Sequence, residues 1–256
     1  MDYTNINLPS LEEAMKLNND IVASLNTKFM HLYNITFTEM IESLYCDSLF
    51  TDISGKRLYH HYDHIGKQLF NKKKFYENRM LDYIKELNKG KKPNVLDVGA
   101  NIGNHSVYFS TFADKVFAYE PCESNFSKLE KNVRYNNIEN ITISQKGLST
   151  KSGTYYNLEV LHNRGMNTLV EDSKGDILTV NGDQEVIGLN VEIDVIKIDC
   201  ENMSYDVLKS LTQTIDKFKP DIFIEGDEEI LTYVKKRGWG LIKVFNSTPT
   251  YHIKTT

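Results

Sequence analysis

The sequence predicts an α/β fold in which a doubly wound, mostly parallel sheet closes on an antiparallel strand and follows an N-terminal helical extension. Three observations lead there. From Pro93 onward, short apolar runs alternate with stretches of helical periodicity, the pattern of parallel strands joined by helical crossovers. The last two strand-like runs, Trp239 to Phe245 and Thr250 to Lys254, are joined only by Asn246-Ser247-Thr248-Pro249, so they should pair antiparallel. Before residue 90 the spacing of apolar residues is helical, and no glycine occurs before Gly55.

The elements follow in order. Leu11 to Leu25 sets Leu11, Met15, Ile21, Val22 and Leu25 at helical spacing behind Pro9-Ser10, a start signal. Thr38 to Leu49 gathers Met40, Ile41, Leu44 and Tyr45 on one face. Asp52 to Asn71, rich in His and Tyr, carries no clear period. Phe75 to Leu87 reads as a helix stopped by Asn88-Lys89-Gly90. Then come a strand at Asn94 to Val98, a helix at His105 to Ala113, a strand at Lys115 to Tyr119 and a helix at Ser124 to Tyr135, whose Phe126, Leu129 and Val133 should face the sheet. Ile141 to Ser144 and Val191 to Ile198 are the next strands, Tyr205 to Ile215 a helix, Asp221 to Glu225 a strand and Glu229 to Lys236 the last helix. The change of texture divides the chain into a helical extension, 1–90, which would cap the site or oligomerise, and a sheet domain, 91–256.

Composition bounds the function. The chain has 256 residues, 40% hydrophobic and 25% charged, as expected of a globular protein with room for a core. A net charge of -5 gives no global attraction for nucleic acid, and the short basic runs Lys72 to Lys74 and Lys89 to Lys92 read as solvated helix ends and loops. Cys46, Cys122 and Cys200 are odd in number and lack metal-site spacing, which argues against a disulfide framework or structural zinc. No apolar run reaches the roughly 18 residues of a membrane span, and no cleavable leader is evident, so the expectation is a reducing, cytoplasmic setting.

The chemistry collects at the carboxyl ends of the predicted strands, where doubly wound sheets bind ligands. The first is Asp97-Val98-Gly99-Ala100-Asn101-Ile102-Gly103-Asn104. Its Gly99 and Gly103 would let the chain turn and a ligand approach, and their Gly-x-x-x-Gly spacing is not the Gly-x-Gly-x-x-Gly of pyrophosphate binders. A nucleoside with an amino-acid tail suits it better. Glu120, about 20 residues on, is placed to accept hydrogen bonds from two ribose hydroxyls. Asp199 and Glu201 end the fourth strand, two apart and hence on one face if the strand persists; Glu225 ends the fifth. Carboxylates there are costly unless hydrogen-bonded, paired or metal-bound, or are helix-start groups held by backbone N–H donors. His105 is a second candidate base or else a core histidine. His60, His61 and His64 would line an acceptor pocket or the surface.

These segments, with Asn132, Lys146-Gly147-Leu148-Ser149, Gly165 to Leu169, Lys197-Ile198-Asp199-Cys200-Glu201 and Pro220 to Glu225, stand in the order of the FkbM-type methyltransferases, which the chain resembles over about residues 60 to 226. Phe75-Tyr76-Glu77 is similar to the aromatic-Glu element that this family carries before its core. The resemblance implies a seven-stranded Rossmann-like class I methyltransferase sheet and S-adenosyl-L-methionine as cofactor. It implies cofactor contacts from Asp97, Gly99, Ala100, Asn101, Gly103, Asn104, Glu120 and Gly147; neighbouring Gln145 is a candidate for the adenine edge or else a core or surface residue. The acceptor would be a sugar, glycan or natural-product hydroxyl, contacted by Glu77, His105, Lys197 and Glu225. The chain departs from the family at Asn202, where Gly is usual, and at Gly147, where Ala is usual. Asn tolerates a left-handed backbone, so the turn can survive.

Methyl transfer to a hydroxyl needs positioning and a route for its proton. Asp199 and Glu201 are the expected proton acceptors, directly or through a divalent ion that both would ligate. A non-catalytic S-adenosylmethionine-binding module is the alternative from another class, and the paired carboxylates favour an enzyme over it. A nicotinamide oxidoreductase lacks its fingerprint here. An amino-methylating nucleic-acid enzyme would need an Asn/Asp-Pro-Pro-aromatic segment that is missing. Expected partners are the small-molecule or glycan acceptor, with a second copy or a glycosyltransferase as candidates for the extension, and no nucleic acid or membrane.

Overall fold

The computed structural model describes residues 49–158, 168–171, 175, 177–245 and 248–255. The helices expected at Leu11 to Leu25 and Thr38 to Leu49 lie outside the described residues, Leu49 apart. Contacts divide the chain after Leu49, and the unit Phe50–Thr256 includes segment 50–90, which packs onto the sheet.

That unit opens with a hairpin, β1 Phe50–Ile53 and β2 Lys56–Tyr59, and two helices, α1 His64–Lys72 and α2 Asn78–Leu87. Alternation then proceeds as β3 Asn94–Val98, α3 Asn104–Phe109, β4 Lys115–Tyr119, α4 Glu123–Tyr135 and β5 Ile141–Ser144. A four-stranded side sheet follows, with β6 Gly147–Ser149, β7 Gly153–Leu158, β8 Thr168–Glu171 and β9 Ile177–Asn181 in the order β6-β9-β7-β8. The remainder is α5 Gly182–Gly188, β10 Val195–Ile198, α6 Ser204–Ser210, α7 Thr212–Phe218, β11 Asp221–Glu225, α8 Glu228–Lys236, β12 Gly240–Phe245 and β13 Thr250–Lys254.

The main sheet has seven strands in the order β12-β13-β11-β10-β3-β4-β5. The β11-β10-β3-β4-β5 pairings are parallel, and β13 runs antiparallel to both β11 and β12. This is the predicted doubly wound sheet, with its strand order reversing between β3 and β10.

Period-two alternation along the central strands divides their side chains between two cores. Leu96, Val98, Ile196, Ile198, Ile222 and Ile224 meet Val186, Leu208, Ile215 and Ile230 from the later helices. Val95, Val195 and Phe223 point to the other face, against Leu69, Met80, Ile84 and Phe109. By the same parity Asp97, Lys197 and Glu225 belong to this second face, and Asp97 and Lys197 are register partners on adjacent strands.

Three expectations need correction. The strand read over Val191 to Ile198 begins only at Val195, because Asp194 and the Glu192 carbonyl are tied to the backbone and side chain of Asn94 at the head of β3. The single helix over Tyr205 to Ile215 breaks at Leu211, where the Asp183 carboxylate accepts from the N–H groups of Gln213 and Thr214 and so caps a new start. The side sheet was not anticipated at all. Asp52 to Asn71, whose sequence carries no clear period, holds most of the hairpin and most of α1, whose N-cap Asp63 accepts from Gly66.

Asn132 of α4 fastens the hairpin to the body. Fully buried, it accepts from Tyr59 N–H at 2.6 Å and donates to the Tyr59 and Ile102 carbonyls at 2.9 and 2.8 Å. Asn132→Ala strands three backbone groups in the interior, and urea unfolding should show a loss of about 2 kcal/mol.

Among the described residues, no helix is long and apolar enough to cross a membrane.

Candidate active site

The parallel strands end in a row. Glu225 ends β11, while Asp199 follows β10, Gly99 β3 and Glu120 β4, so three inter-strand spacings, about 14 Å, separate the two outer carboxyl groups along the sheet edge. A cavity of about 510 Å³ opens above this edge and is lined by all four residues, a size within the range of small-ligand sites.

The loop after β3 is a sequence of left-handed turns. Gly99 has φ +79°, Asn101 φ 52° and Gly103 φ 83°. The Tyr119 carbonyl accepts from both Gly99 and Ala100 N–H, closing the loop over the end of β4. The glycines also serve the packing of the chain. A Cβ on Gly99 would lie 1.9 Å from the Asp199 carbonyl oxygen, and one on Gly103 would lie 2.5 Å from Leu129 Cδ1. They permit close approach of strand to strand and loop to helix, and Gly99 lines the cavity as well.

Ala100, Asn101 and Asn104 line the cavity, as does Gly147 from the far wall. Asn104 also holds its neighbour in place, accepting from Tyr76 N–H at 3.0 Å and donating to the Tyr76 carbonyl at 3.2 Å. Three predicted cofactor residues lie outside the lining. Gly103 is spent on packing. Asp97 is buried beneath the loop, where it accepts from Ser106 Oγ at 2.5 Å. Gln145 is exposed past the end of β5 and donates to Glu123 at 2.5 Å.

Glu120 is 4% exposed. Its Oε2 accepts from Asn101 N–H at 2.8 Å and its Oε1 from Cys122 N–H at 2.9 Å. Burial nevertheless dominates and pushes its pKa up to about 6, against the pull of these donors and of Asn125. A buried carboxylate on a cavity wall with residual acceptor capacity suits a pair of ribose hydroxyls. On that ground the residues present fit a nucleoside cofactor. Cys122 and Asn125, which complete this cradle, escaped the sequence reading because nothing in their spacing announces a hydrogen bond back to Glu120.

The other end of the cavity is charged. Lys197 is 1% exposed and its ammonium lies 2.7 Å from Asp199 Oδ2. Burial opposes the charge on Lys197, but Asp199, Glu77 and Asp97 together hold it above its ordinary range. Burial likewise opposes the charge on Asp199, and Lys197 outweighs it, keeping the carboxyl below its usual range. Glu225 is hydrogen-bonded to Asp199 and moves the opposite way, up to about 8, through burial and then the Asp199 charge. Tyr76, on the same wall, is pushed up to about 12, chiefly by burial. Glu77 and Lys197 sit behind the cavity and reach it only through His105 and Asp199, which line it.

Glu201 does not stand beside Asp199 on a shared strand face. The strand stops at Ile198, and Glu201 adopts φ 50° at the start of a one-turn 3₁₀ helix, Glu201–Met203. Both still line the cavity, and burial, then Asp199, raises the Glu201 pKa.

The expected cation pair Asp199/Glu201 is also corrected. Among the described residues, the donors that could surround one ion are Glu77, His105 and Asp199, with atoms within 4.8 Å of one another. The Lys197 ammonium already supplies the positive charge at that point, so a divalent ion does not fit.

Of the three clustered histidines, only His64 lines the cavity, next to Gln68. His60 and His61 are buried below the hairpin rather than exposed. His60 pairs with Thr51 Oγ1 and with the His61 carbonyl, and burial lowers its pKa.

The family model described as methyltransferase FkbM domain matches residues 97–238. Among curated proteins, none matches significantly. Similar solved structures include the methyltransferase FkbM of Methylobacillus flagellatus, at 16% identity over 77% of this chain and 56% of that one, TM-score 0.47. An rRNA methylase from Streptococcus thermophilus is similar at 15% identity over 70% and 96%, TM-score 0.45. A ribosomal protein L11 methylase from Lactobacillus delbrueckii is similar at 12% identity over 70% and 79%, TM-score 0.46.

Proposed function

Because the chain belongs to the methyltransferase FkbM domain family, we propose that it is an S-adenosylmethionine-dependent O-methyltransferase acting on a sugar or glycan hydroxyl. The observation that carries this reading is the row of carboxyl groups along one cavity, with Glu120 at one end and Asp199 and Glu225 at the other.

Glu120, Gly99, Ala100, Asn101 and Gly147 would hold the cofactor, with Glu120 accepting from the ribose hydroxyls. When bound, S-adenosylmethionine supplies a methyl group on a sulfonium, and the S–C electron pair stays with sulfur as the methyl departs. The chain's own contribution is mainly placement. Asp199, fixed by Lys197, and Glu225 offer acceptors to hydroxyl donors, and His64, Gln68 and Thr248 add polar groups to the same cavity. A polyol presents several O–H donors to such a wall, which favours a sugar over an apolar natural product.

The protein with S-adenosylmethionine should bind the cofactor in calorimetry and methylate members of a panel of methyl glycosides and nucleotide sugars, read by mass spectrometry. Binding with methyl transfer only to protein or RNA would overturn the sugar acceptor. Binding with no transfer to any acceptor would support a binding module instead.

A further inference from the structure

His105 stands at the charged end of the cavity, beside Glu77 and Asp199, and has no part in the placement described above. It is the second residue of α3, 8% exposed, and its ring lines the cavity. Its Nε2 lies 3.3 Å from Glu77 Oε2, at the head of α2, where the Glu77 side chain is 7% exposed. The Tyr76 ring stacks on it at 6.5 Å and 22°, and Phe109 flanks it at 6.3 Å. With Nε2 turned to a carboxylate, Nδ1 is the nitrogen left for a ligand. Nε2 and Glu77 Oε2 are within ion-pair distance but short of hydrogen-bond geometry, so Glu77 offers a partner for the positive charge of the ring and favours a proton on Nε2.

We propose that His105 takes the proton of the acceptor hydroxyl and that Glu77 is its positioning residue. The proposal rests on the hydroxyl-methylation reading above. As the acceptor oxygen forms its bond to the methyl carbon, the O–H bond breaks and its proton moves to Nδ1. The imidazolium is then balanced by Glu77 and returns the proton to water. The neighbouring carboxyls are less suited. Asp199 is committed to Lys197, Glu225 shares a hydrogen bond with Asp199, and Glu201 lies beyond the strand end in the one-turn 3₁₀ helix. Asp199 just past β10, with Tyr76 and Glu77 from the segment before α2, are the titratable groups facing the ring, and Lys197 and Glu225 stand on the other side of Asp199.

The first measurement is ¹⁵N NMR of the histidine-labelled wild-type protein, with His105→Asn identifying the signals. The Nε2–H tautomer is expected, and Nδ1–H would overturn the proposal. The second uses the methyl glycoside or nucleotide sugar that the wild type methylates. His105→Asn should lower kcat by 10²–10⁴-fold while calorimetry shows S-adenosylmethionine affinity within about twofold. Glu77→Leu should move the His105 signals away from the Nε2–H pattern in the ¹⁵N spectra, which loss of packing alone would not do. A His105→Asn protein that keeps its rate overturns the dyad and leaves the methyltransferase reading intact. A wild type that methylates no hydroxyl compound defeats that reading, and the tautomer then decides the dyad alone.

Discussion

Lys197→Met should lower the free energy of unfolding by about 3–5 kcal/mol, the largest stability effect expected for one substitution at the site. The side chain is similar in length, so little cavity is created. The loss is electrostatic: Asp199, Glu77 and Asp97 all act on the Lys197 ammonium, and its removal leaves buried carboxylates facing one another. The pH dependence should change sign. In the wild type Asp199 has a folded pKa below its unfolded 3.8, so its contribution is present above that value and is lost as pH falls through the folded pKa. In the variant the same carboxyl is raised by burial, so stability improves as pH falls. Urea titrations at several pH values test both points, and Lys197→Met/Asp199→Asn should recover part of the loss. An unchanged midpoint in Lys197→Met would mean that the ammonium does not hold this cluster together.

Glu120→Gln should weaken S-adenosylmethionine binding by about 10²-fold, or roughly 3 kcal/mol, the value of two hydrogen bonds to a charged acceptor. The amide keeps one acceptor oxygen, so either Asn101 or Cys122 N–H loses its partner and the loss of affinity includes that local cost. The wild-type pKa of about 6 lies above the usual 4.5. Its stabilising contribution to the free protein is therefore full below 4.5 and lost as pH rises through 6, a cost of about 2 kcal/mol at neutral pH. Ribose hydroxyls would offset that cost, so affinity should fall below about pH 6 in the wild type and stay flat in Glu120→Gln. Calorimetry across pH 5 to 8 provides the comparison.

The sheet was legible because its central strands are short apolar runs flanked by helical periods, and the closing pair because only turn residues separate it. The side sheet was not, because β6 is three residues long and Gly147–Ser149 carries no alternation to detect. At the site, residue types and chain order were readable, as Glu120 and Asp199 illustrate. Their environments were not. Asp199 and Glu201 separate because the backbone at Glu201 turns left-handed, a conformation Glu rarely adopts and local sequence does not signal. The packing role of Gly99 is not legible because its neighbour in space, the Asp199 carbonyl, lies a hundred residues away along the chain.

The register that joins Val95 to Val195 has a consequence for how the protein reaches this state. Everything through β5 can assemble locally as the chain emerges, but the centre of the sheet stays an open edge until β10 arrives and pairs beside β3. Loop closure over that distance must precede the contacts that reward it, so folding should be slow and the half-built sheet vulnerable to edge-to-edge association. Gly99 and Glu120 would then wait in a nascent half-molecule for Asp199 and Glu225, and ligand affinity should appear late and all at once.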